Sequence, residues 1–137
     1  MTFVLDTNVI SELRRPEKAD RKVLAWASTQ PVSGMFLSVI TVLELELGAL
    51  QAARRDKAQG LVLRAWIDSQ ILPGFDGRIF PVDTAVAQRC ARLHVPDPRA
   101  ERDALIAATA LVHGMTVITR NTADFQPTGV KLLNPWA

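Results

Sequence analysis

The sequence is poor in cysteine and has no long apolar run. Cys90 is the only cysteine among 137 residues, so no internal disulfide is possible and we expect a reducing compartment. The few apolar residues before Asp6 are too short for a signal peptide. No uncharged apolar run approaches the length of a membrane span. These absences predict a soluble, cytoplasmic protein without a membrane partner.

The chain also lacks linkers, low-complexity tracts and internal repeats, which predicts one domain over residues 1–137. It is 48% hydrophobic and 22% charged, a composition typical of a globular and not a disordered protein. Lys and Arg number 16 against 14 Asp and Glu. So small an excess does not by itself indicate a nucleic-acid-binding protein, although basic residues could gather on one face.

Several catalytic motifs are missing. No phosphate-binding loop and no G-x-G-x-x-G pattern is present, which argues against nucleotide-cofactor chemistry. No Ser-His-Asp or Cys-His arrangement supplies a nucleophile. We expect neither His94 nor His113 to have metal-ligand spacing to another His or Cys, and both to be structural or exposed. Cys90 lies in a helical pattern and is expected to be an inert, half-buried thiol.

Five short strand-like segments alternate with helical patterns. The strands are expected at 2–5, 35–39, 78–82, 115–121 and, at an edge, 130–136. The helices are expected at 6–15, 17–28, 40–55, 58–72, 83–95 and 101–114. This alternation predicts a three-layer α/β/α sandwich around a mostly parallel, roughly five-stranded sheet. In the third helix, Ile40, Leu43, Leu47 and Leu50 predict one apolar stripe.

Four acids fall at the ends of these elements. Asp6 closes the first strand, where an unpaired buried carboxylate would be costly, so it needs a partner, a cleft or a cation. Glu44 lies early in the third helix, Asp103 in the first turn of the last one, and Asp124 in the loop after the fourth strand. Sites in open parallel sheets form at the carboxyl ends of strands, where these acids are expected.

Each acid has another interpretation. Asp103 could favour the positive end of its helix, an effect of about 0.3–1 kcal/mol. Asp124 could be an ordinary loop acid, and Glu44 a surface residue like its neighbour Glu46. If the acids converge, however, each close pair repels by about 4 kcal/mol at 4 Å and an effective dielectric of 20. Such crowding requires raised pKa values or a bound cation.

A cluster of carboxylates without His or Cys selects Mg²⁺ or Mn²⁺ over zinc. Beside basic residues, such a centre suits phosphodiester hydrolysis by metal-activated water. A rival function is a Mg²⁺-dependent phosphatase or phosphotransfer domain with Asp6 as the nucleophile. That chemistry favours a second aspartate two residues on, where Asn8 stands.

Four segments in order carry a resemblance to a known family: "LDTNVISEL", "SVITVLELELGA", "ERDALIAATALVHGMTVITRN" and "NTADF". Together they resemble the PIN-domain ribonucleases, specifically the VapC-type toxins of bacterial toxin–antitoxin pairs, over nearly the whole chain. The resemblance implies a Mg²⁺-dependent endoribonuclease, with Mn²⁺ as a substitute. The implied catalytic and metal-binding residues are Asp6, Glu44, Asp103 and Asp124. The implied supporting residues are Thr7, Asn8, Ser38, Thr119 and Asn121, with turn or cap chemistry an equal interpretation for Ser38.

The resemblance further implies an RNA substrate, a cognate antitoxin and a homodimer. If the four implied metal ligands are left out of the charge count, 16 basic residues remain against ten acidic ones. This excess of positive charge favours binding to RNA. Arg120 is the basic residue most expected near the substrate. Apolar residues in 43–72 exceed what one buried face needs, which fits either an interface or a thick core. The alternative function is a nucleic-acid-binding or interaction module that keeps this fold without cleaving.

Overall fold

The computed structural model describes all 137 residues and contains one five-stranded parallel sheet. The strands are β1 (Phe3–Leu5), β2 (Met35–Ser38), β3 (Ile79–Phe80), β4 (Thr116–Ile118) and β5 (Leu132–Leu133). Their order is β3-β2-β1-β4-β5, and every neighbouring pair runs parallel. Each strand lies within a predicted segment and is shorter than it. The central position of β1 places the residue that follows it, Asp6, in the middle of the sheet's carboxyl edge.

Eight α-helices connect and cover the strands. They are α1 (Thr7–Leu13), α2 (Arg21–Thr29), α3 (Val39–Arg55), α4 (Lys57–Trp66), α5 (Leu72–Gly74), α6 (Thr84–Leu93), α7 (Glu101–His113) and α8 (Thr122–Phe125). A π-helical turn, Ile67–Ile71, joins α4 to α5. The helix predicted at 58–72 is therefore α-helical as far as Trp66 and π-helical over Ile67–Ile71. None of these helices has both the length and the apolar character needed to cross a membrane.

Side chains of β1 alternate between two separate hydrophobic cores, as expected of a strand covered on both faces. Val4 packs with residues of α6 and α7, whereas Phe3 and Leu5 pack with residues of α1 and α3. The two cores lie on opposite faces of the sheet. The three-layer α/β/α sandwich predicted from the sequence is therefore confirmed.

Of the apolar stripe predicted along α3, Ile40 is buried, but the prediction is wrong for Leu43 and Leu50. Leu43 and Leu50 have exposed fractions of 48% and 65%, and the buried positions are instead Ile40, Thr41, Leu45, Ala49 and Ala52. α3 buries Leu45 and the small residues Ala49 and Ala52, and at Ala53 it approaches α4 so closely that a Cβ added at Gly60 would lie 2.4 Å from the Cβ of Ala53.

Candidate active site

A pocket of about 520 Å³ opens at the carboxyl edge of the sheet; we call it the acidic pocket. Its lining residues are Asp6, Thr7, Asn8, Ser11, Glu12, Glu44, Asp103, Arg120, Asn121 and Trp136. Three of the four predicted acids thus line one pocket, although 97 residues separate Asp6 from Asp103 in the sequence. Asp124 is not in the lining, yet its charge acts on both Asp6 and Asp103.

Asp6 is buried, with 5% of its surface exposed, at the junction of β1 and α1. Its Oδ1 accepts a hydrogen bond from the backbone N–H of Thr7 at 2.8 Å, which caps α1. Its Oδ2 accepts one from the hydroxyl of Thr119 at 2.7 Å and one from Nδ2 of Asn8 at 3.3 Å. Three donors fix the carboxylate, which has about four acceptor positions, so one position faces the pocket without a protein partner.

The pKa of Asp6 is raised above its usual value of 3.8. Burial is the largest cause, and the negative charges of Glu44 and Asp124 add to it. The hydrogen bonds from Thr119 and Thr7 act in the opposite direction because they stabilise the ionised form. Asp6 is therefore a carboxylate that the fold holds in place but whose charge the protein does not neutralise.

Glu44 faces the same pocket from the second turn of α3. Its Oε1 accepts a hydrogen bond from the hydroxyl of Thr7 at 2.6 Å, and its Oε2 lies 3.7 Å from Nη1 of Arg102. Glu46, two residues on, faces away and pairs with Arg64 of α4. The two neighbouring glutamates of α3 therefore have different surroundings, as the helical period predicts.

Asp103 lies in the first turn of α7 and is half-buried. Its pKa is also raised, first by burial and then by the charges of Asp6, Asp124 and Glu44. Asp124 is exposed and lies in the short helix α8, where the sequence predicted a loop. Neither carboxylate accepts a protein hydrogen bond, so both are free to bind a ligand.

The supporting residues divide into two groups. Thr7, Asn8 and Thr119 donate hydrogen bonds to the acids, and the N–H of Asn121 donates to Oγ1 of Thr119 at 3.0 Å. Ser38 is different: it is buried outside the pocket lining, and its Oγ accepts from the N–H of Ile40 at 3.0 Å. The Ser38 hydroxyl caps α3 and does not touch the acids.

Arg120 reaches the rim of the pocket, where its backbone N–H donates to Oδ1 of Asn8 at 3.4 Å. Its guanidinium carbon lies 5.3 Å from the ring centroid of Trp136. The sequence analysis missed Trp136, together with Ser11 and Glu12. The last two lie one helical turn beyond Thr7 and Asn8, so the spacing of α1 could have indicated them.

A second group of potential ligands lies between α6 and α7, and it corrects a prediction. Cys90 of α6 and His94, the C-cap of that helix, are four residues apart and meet Glu101, so His94 does have ligand spacing to a cysteine. Potential ligand atoms of Cys90, His94 and Glu101, the Cys–His–Glu cluster, all lie within 4.8 Å of one another. No other group of three or more His, Cys, Asp or Glu residues is as compact. The sequence analysis overlooked the i, i+4 spacing.

Hydrogen bonds within the Cys–His–Glu cluster oppose a metal ion. Nδ1 of His94 accepts from the backbone N–H of Arg99 at 3.0 Å, so neutral His94 carries its proton on Nε2. That nitrogen lies 3.4 Å from Oε2 of Glu101 and 3.7 Å from Sγ of Cys90. Burial, and then the Glu101 charge, raise the pKa of the Cys90 thiol, which keeps it protonated. The cluster links the two helices, and its histidine and protonated thiol are poorly prepared to bind an ion.

The acidic pocket has the opposite properties and fits a hard divalent ion. Its donors are carboxylate oxygens, two of its acids have raised pKa values, and Arg102 is the single cation paired with any of them. No three of its carboxylates approach one another as closely as the atoms of the Cys–His–Glu cluster. That spacing suits Mg²⁺, which keeps several waters and binds proteins through one or two carboxylates.

Comparisons with known proteins place the chain in a family. A model of the PIN domain matches residues 3–129. The VapC ribonuclease Y4jK of Sinorhizobium fredii is 39% identical over 141 residues, covering 98% of this chain and 97% of that protein. Toxin FitB of Neisseria gonorrhoeae is 41% identical over 140 residues, covering 98% of each.

A solved structure agrees with these relatives. The crystal structure of FitAcB from Neisseria gonorrhoeae aligns with a TM-score of 0.89 at 38% identity, covering 98% of this chain and 99% of that one. The chain therefore belongs to the PIN-domain family, and within it to the VapC-type toxins of toxin–antitoxin systems.

Proposed function

We propose that this toxin is an endoribonuclease that hydrolyses RNA phosphodiester bonds in a Mg²⁺-dependent reaction, with Mn²⁺ as a substitute. The observation that carries the proposal is the acidic pocket, which Asp6, Glu44 and Asp103 line and where the charges of Asp6, Asp124 and Glu44 add to burial in raising the pKa of Asp103. The name of the Sinorhizobium relative, a VapC ribonuclease, supports the same activity.

The acids Asp6, Glu44, Asp103 and Asp124 would hold the ion. When bound, a divalent cation lowers the pKa of a water molecule, polarises the phosphoryl oxygen and stabilises the leaving oxyanion. The protein's own contribution is positional: Thr119 and Asn8 fix the Asp6 carboxylate, and Thr7 fixes that of Glu44. Such supporting hydrogen bonds orient ligands and tune their basicity.

Arg120 is proposed as a substrate-binding residue. Its guanidinium is exposed at the rim of a pocket whose other charged lining residues are all acidic. A cation in this position can contact a phosphate of the RNA backbone, and Arg does so with several donors at once. The acids and Arg120 together would place a phosphodiester between a bound ion and a fixed positive charge.

The phosphatase alternative is disfavoured by the surroundings of Asp6. Nδ2 of Asn8, which stands where that chemistry favours a second aspartate, donates to the Asp6 carboxylate and lies 3.4 Å from Oγ1 of Thr119. An aspartate at position 8 would instead repel Asp6. The network is suited to holding Asp6 as a fixed ligand.

We also propose a cognate antitoxin and a homodimer as partners in the cytoplasm. Support comes from apolar side chains left outside the core on α3 and α4. Leu50 and Leu61 have exposed fractions of 65% and 62%, whereas Leu45 and Trp66 are buried. The apolar excess noted in residues 43–72 is thus divided between a core and an exposed face suited to a protein partner.

Cleavage of an end-labelled RNA pool tests the proposed activity. The antitoxin-free protein is assayed with Mg²⁺, Mn²⁺ or EDTA, and wild type is compared with Asp6→Asn. Asp20→Asn is the matched control, because Asp20 is also an aspartate N-cap, on α2, but lies outside the acidic pocket.

We expect metal-dependent cleavage by wild type and by Asp20→Asn, and a loss of about 100-fold or more in Asp6→Asn, the scale of losing a transition-state contact. Cleavage that persists in Asp6→Asn would contradict the assignment of Asp6. If folded, metal-supplied wild type cuts no RNA, the non-cleaving binding module becomes the better account.

A further inference from the structure

We propose that Trp136 is a specificity-determining residue that stacks on one unpaired base of a single-stranded RNA bound at the acidic pocket. The proposal rests on the proposed function, because it presupposes an RNA substrate. It explains how a pocket lined mostly by acids can hold an RNA strand, which is itself negatively charged.

Charge alone is a poor source of affinity in this pocket. Its lining contains four acids, Asp6, Glu12, Glu44 and Asp103, and one cation, Arg120. Phosphate contacts supply most non-specific affinity for nucleic acids, but here the acids oppose them. A bound divalent ion would offset only part of this repulsion. Binding that does not depend on phosphate charge is therefore needed beside the acids.

Trp136 is the one hydrophobic side chain among the ten residues that line the pocket. It is half-buried and packs against the core formed with Phe3 and Leu5, so part of the indole is supported from below while another part lines the opening. Every base has a π-face, and stacking on aromatic side chains is how single strands are held in many proteins.

The backbone around Trp136 is fixed by hydrogen bonds. The N–H of Trp136 donates to Oδ1 of Asn134 at 2.9 Å, and the N–H of Ala137 donates to the carbonyl of Asn134 at 3.2 Å. Pro135, which lies between Asn134 and Trp136 in the sequence, is buried. A side chain whose position is set before binding loses less conformational entropy when a ligand arrives.

Arg120 completes the platform. Its guanidinium lies over the indole, 5.3 Å from the ring centroid, and its backbone is tied to Asn8, which also bonds Asp6. Arginine planes stack on bases and contact phosphates, so the pair offers both kinds of contact next to the acids. Stacking requires a base that is not paired within a helix, which makes single-stranded RNA the ligand class.

The test measures binding without cleavage. Fluorescein-labelled single-stranded RNA 12-mers and an RNA duplex are titrated in EDTA with wild type, Trp136→Leu and Trp136→Phe, with folding checked by thermal melting. In parallel, quenching of tryptophan fluorescence by unlabelled RNA is recorded. Trp26→Phe is the matched control, because Trp26 is also half-buried but packs on Phe3 and lies outside the pocket.

We expect Trp136→Leu to weaken single-strand binding by about 5- to 100-fold, the scale of losing one stacked base. Trp136→Phe should keep most of the affinity yet lose the quenching, whereas Trp26→Phe should keep both. The duplex should not quench wild type.

Unchanged binding by Trp136→Leu, or quenching that persists in Trp136→Phe, would overturn the stacking role. If Trp136→Leu fails to fold, the quenching comparison with Trp136→Phe still decides. If the wild type cleaves RNA but its binding does not involve Trp136, only the stacking proposal is contradicted. If the wild type neither binds nor cleaves RNA, the proposed function itself is contradicted. An effect on antitoxin binding alone would assign Trp136 to a protein interface and also overturn it.

Discussion

Two groups of potential metal ligands meet at the first turn of α7, and they differ in a way that proximity alone does not reveal. Glu101 belongs to the compact Cys–His–Glu cluster, and Asp103, two residues on, belongs to the wider acidic pocket. In the compact group both ring nitrogens of His94 already have partners: Nδ1 accepts from the N–H of Arg99, and Nε2 lies 3.7 Å from Sγ of Cys90. The wider group keeps carboxylates without partners.

We therefore expect a metal ion where the protein leaves charges unneutralised, in the acidic pocket, and not where the potential ligand atoms are closest together. Buried charges are costly unless something pairs with them, and Arg102, at 3.7 Å from Glu44, is the only cation in a salt bridge with any of the four acids. A protein that keeps such an arrangement leaves room for a cation from outside. In the Cys–His–Glu cluster, by contrast, an ion would have to displace bonds that already exist.

The largest expected effect separates the two groups by substitution at neighbouring positions. Asp103→Asn should lower metal-dependent RNA cleavage by about 100-fold or more. The substitution removes a carboxylate proposed to hold the ion, and with it the electrostatic stabilisation of the transition state. Glu101→Gln should leave cleavage near the wild-type rate. Initial rates on an end-labelled RNA at several Mg²⁺ concentrations measure both variants. An equally large loss in Glu101→Gln would contradict the assignment of catalysis to the acidic pocket alone.

A smaller effect is expected from Thr119, which holds Asp6 by a 2.7 Å hydrogen bond. Thr119→Val removes the donor, and we expect the affinity for Mn²⁺ to fall by about 10- to 100-fold, the usual cost of losing such a supporting contact. Thr119→Ser keeps the hydroxyl and should retain most of the affinity. Calorimetric titration with Mn²⁺ measures the change, and equal affinities for Val and Ser would show that the hydroxyl does not position the ligand.

The smallest expected effect concerns the pH dependence of stability in the absence of metal. The pKa of Asp103 is raised above 3.8 in the folded chain, so the folded state binds this proton more tightly than the unfolded state. The Asp103 contribution therefore favours folding at low pH and is lost as the pH rises through the raised value. At neutral pH the charged side chain is destabilising.

Asp103→Asn should thus be more stable than wild type at pH 7 by about 0.5–1 kcal/mol, a figure kept small because the side chain is only half-buried. The difference should shrink toward pH 4. Urea unfolding in EDTA at pH 4, 5.5 and 7 measures it, with Glu101→Gln as the control. A difference that grows as the pH falls has the opposite sign and would contradict the proposed cause.

The sequence predicted the parts of this molecule that depend on local pattern. Alternating strand and helix segments gave the sheet and its layers, and the rule that sites form at strand ends brought Asp6 and Asp103 into one hypothesis. The prediction that Glu44 and Glu46 have different surroundings is correct, because residues two positions apart on a helix point in different directions. These inferences needed only the period of each element and its order in the chain.

What the sequence did not predict depends on how distant elements approach. Leu43 and Leu50 of α3 were expected inside but are exposed, because the neighbours of α3 bury a face that contains Leu45, Ala49 and Ala52, and the pattern of one helix does not show which face its neighbours cover. Trp136 was assigned only to an edge strand, because its place in the pocket depends on β5 lying beside β4. The bond from Arg99 that settles the role of His94 crosses a loop and has no sequence signature.

The central claim is that the acidic pocket, and not the compact cluster, binds the divalent ion. Anomalous diffraction from crystals of the antitoxin-free protein grown with Mn²⁺ tests it most directly, because the signal locates the ion without reference to activity. The account predicts a peak among the carboxylates of Asp6, Glu44, Asp103 and Asp124. A peak at Cys90 and His94, or none in the acidic pocket at saturating Mn²⁺, would contradict it.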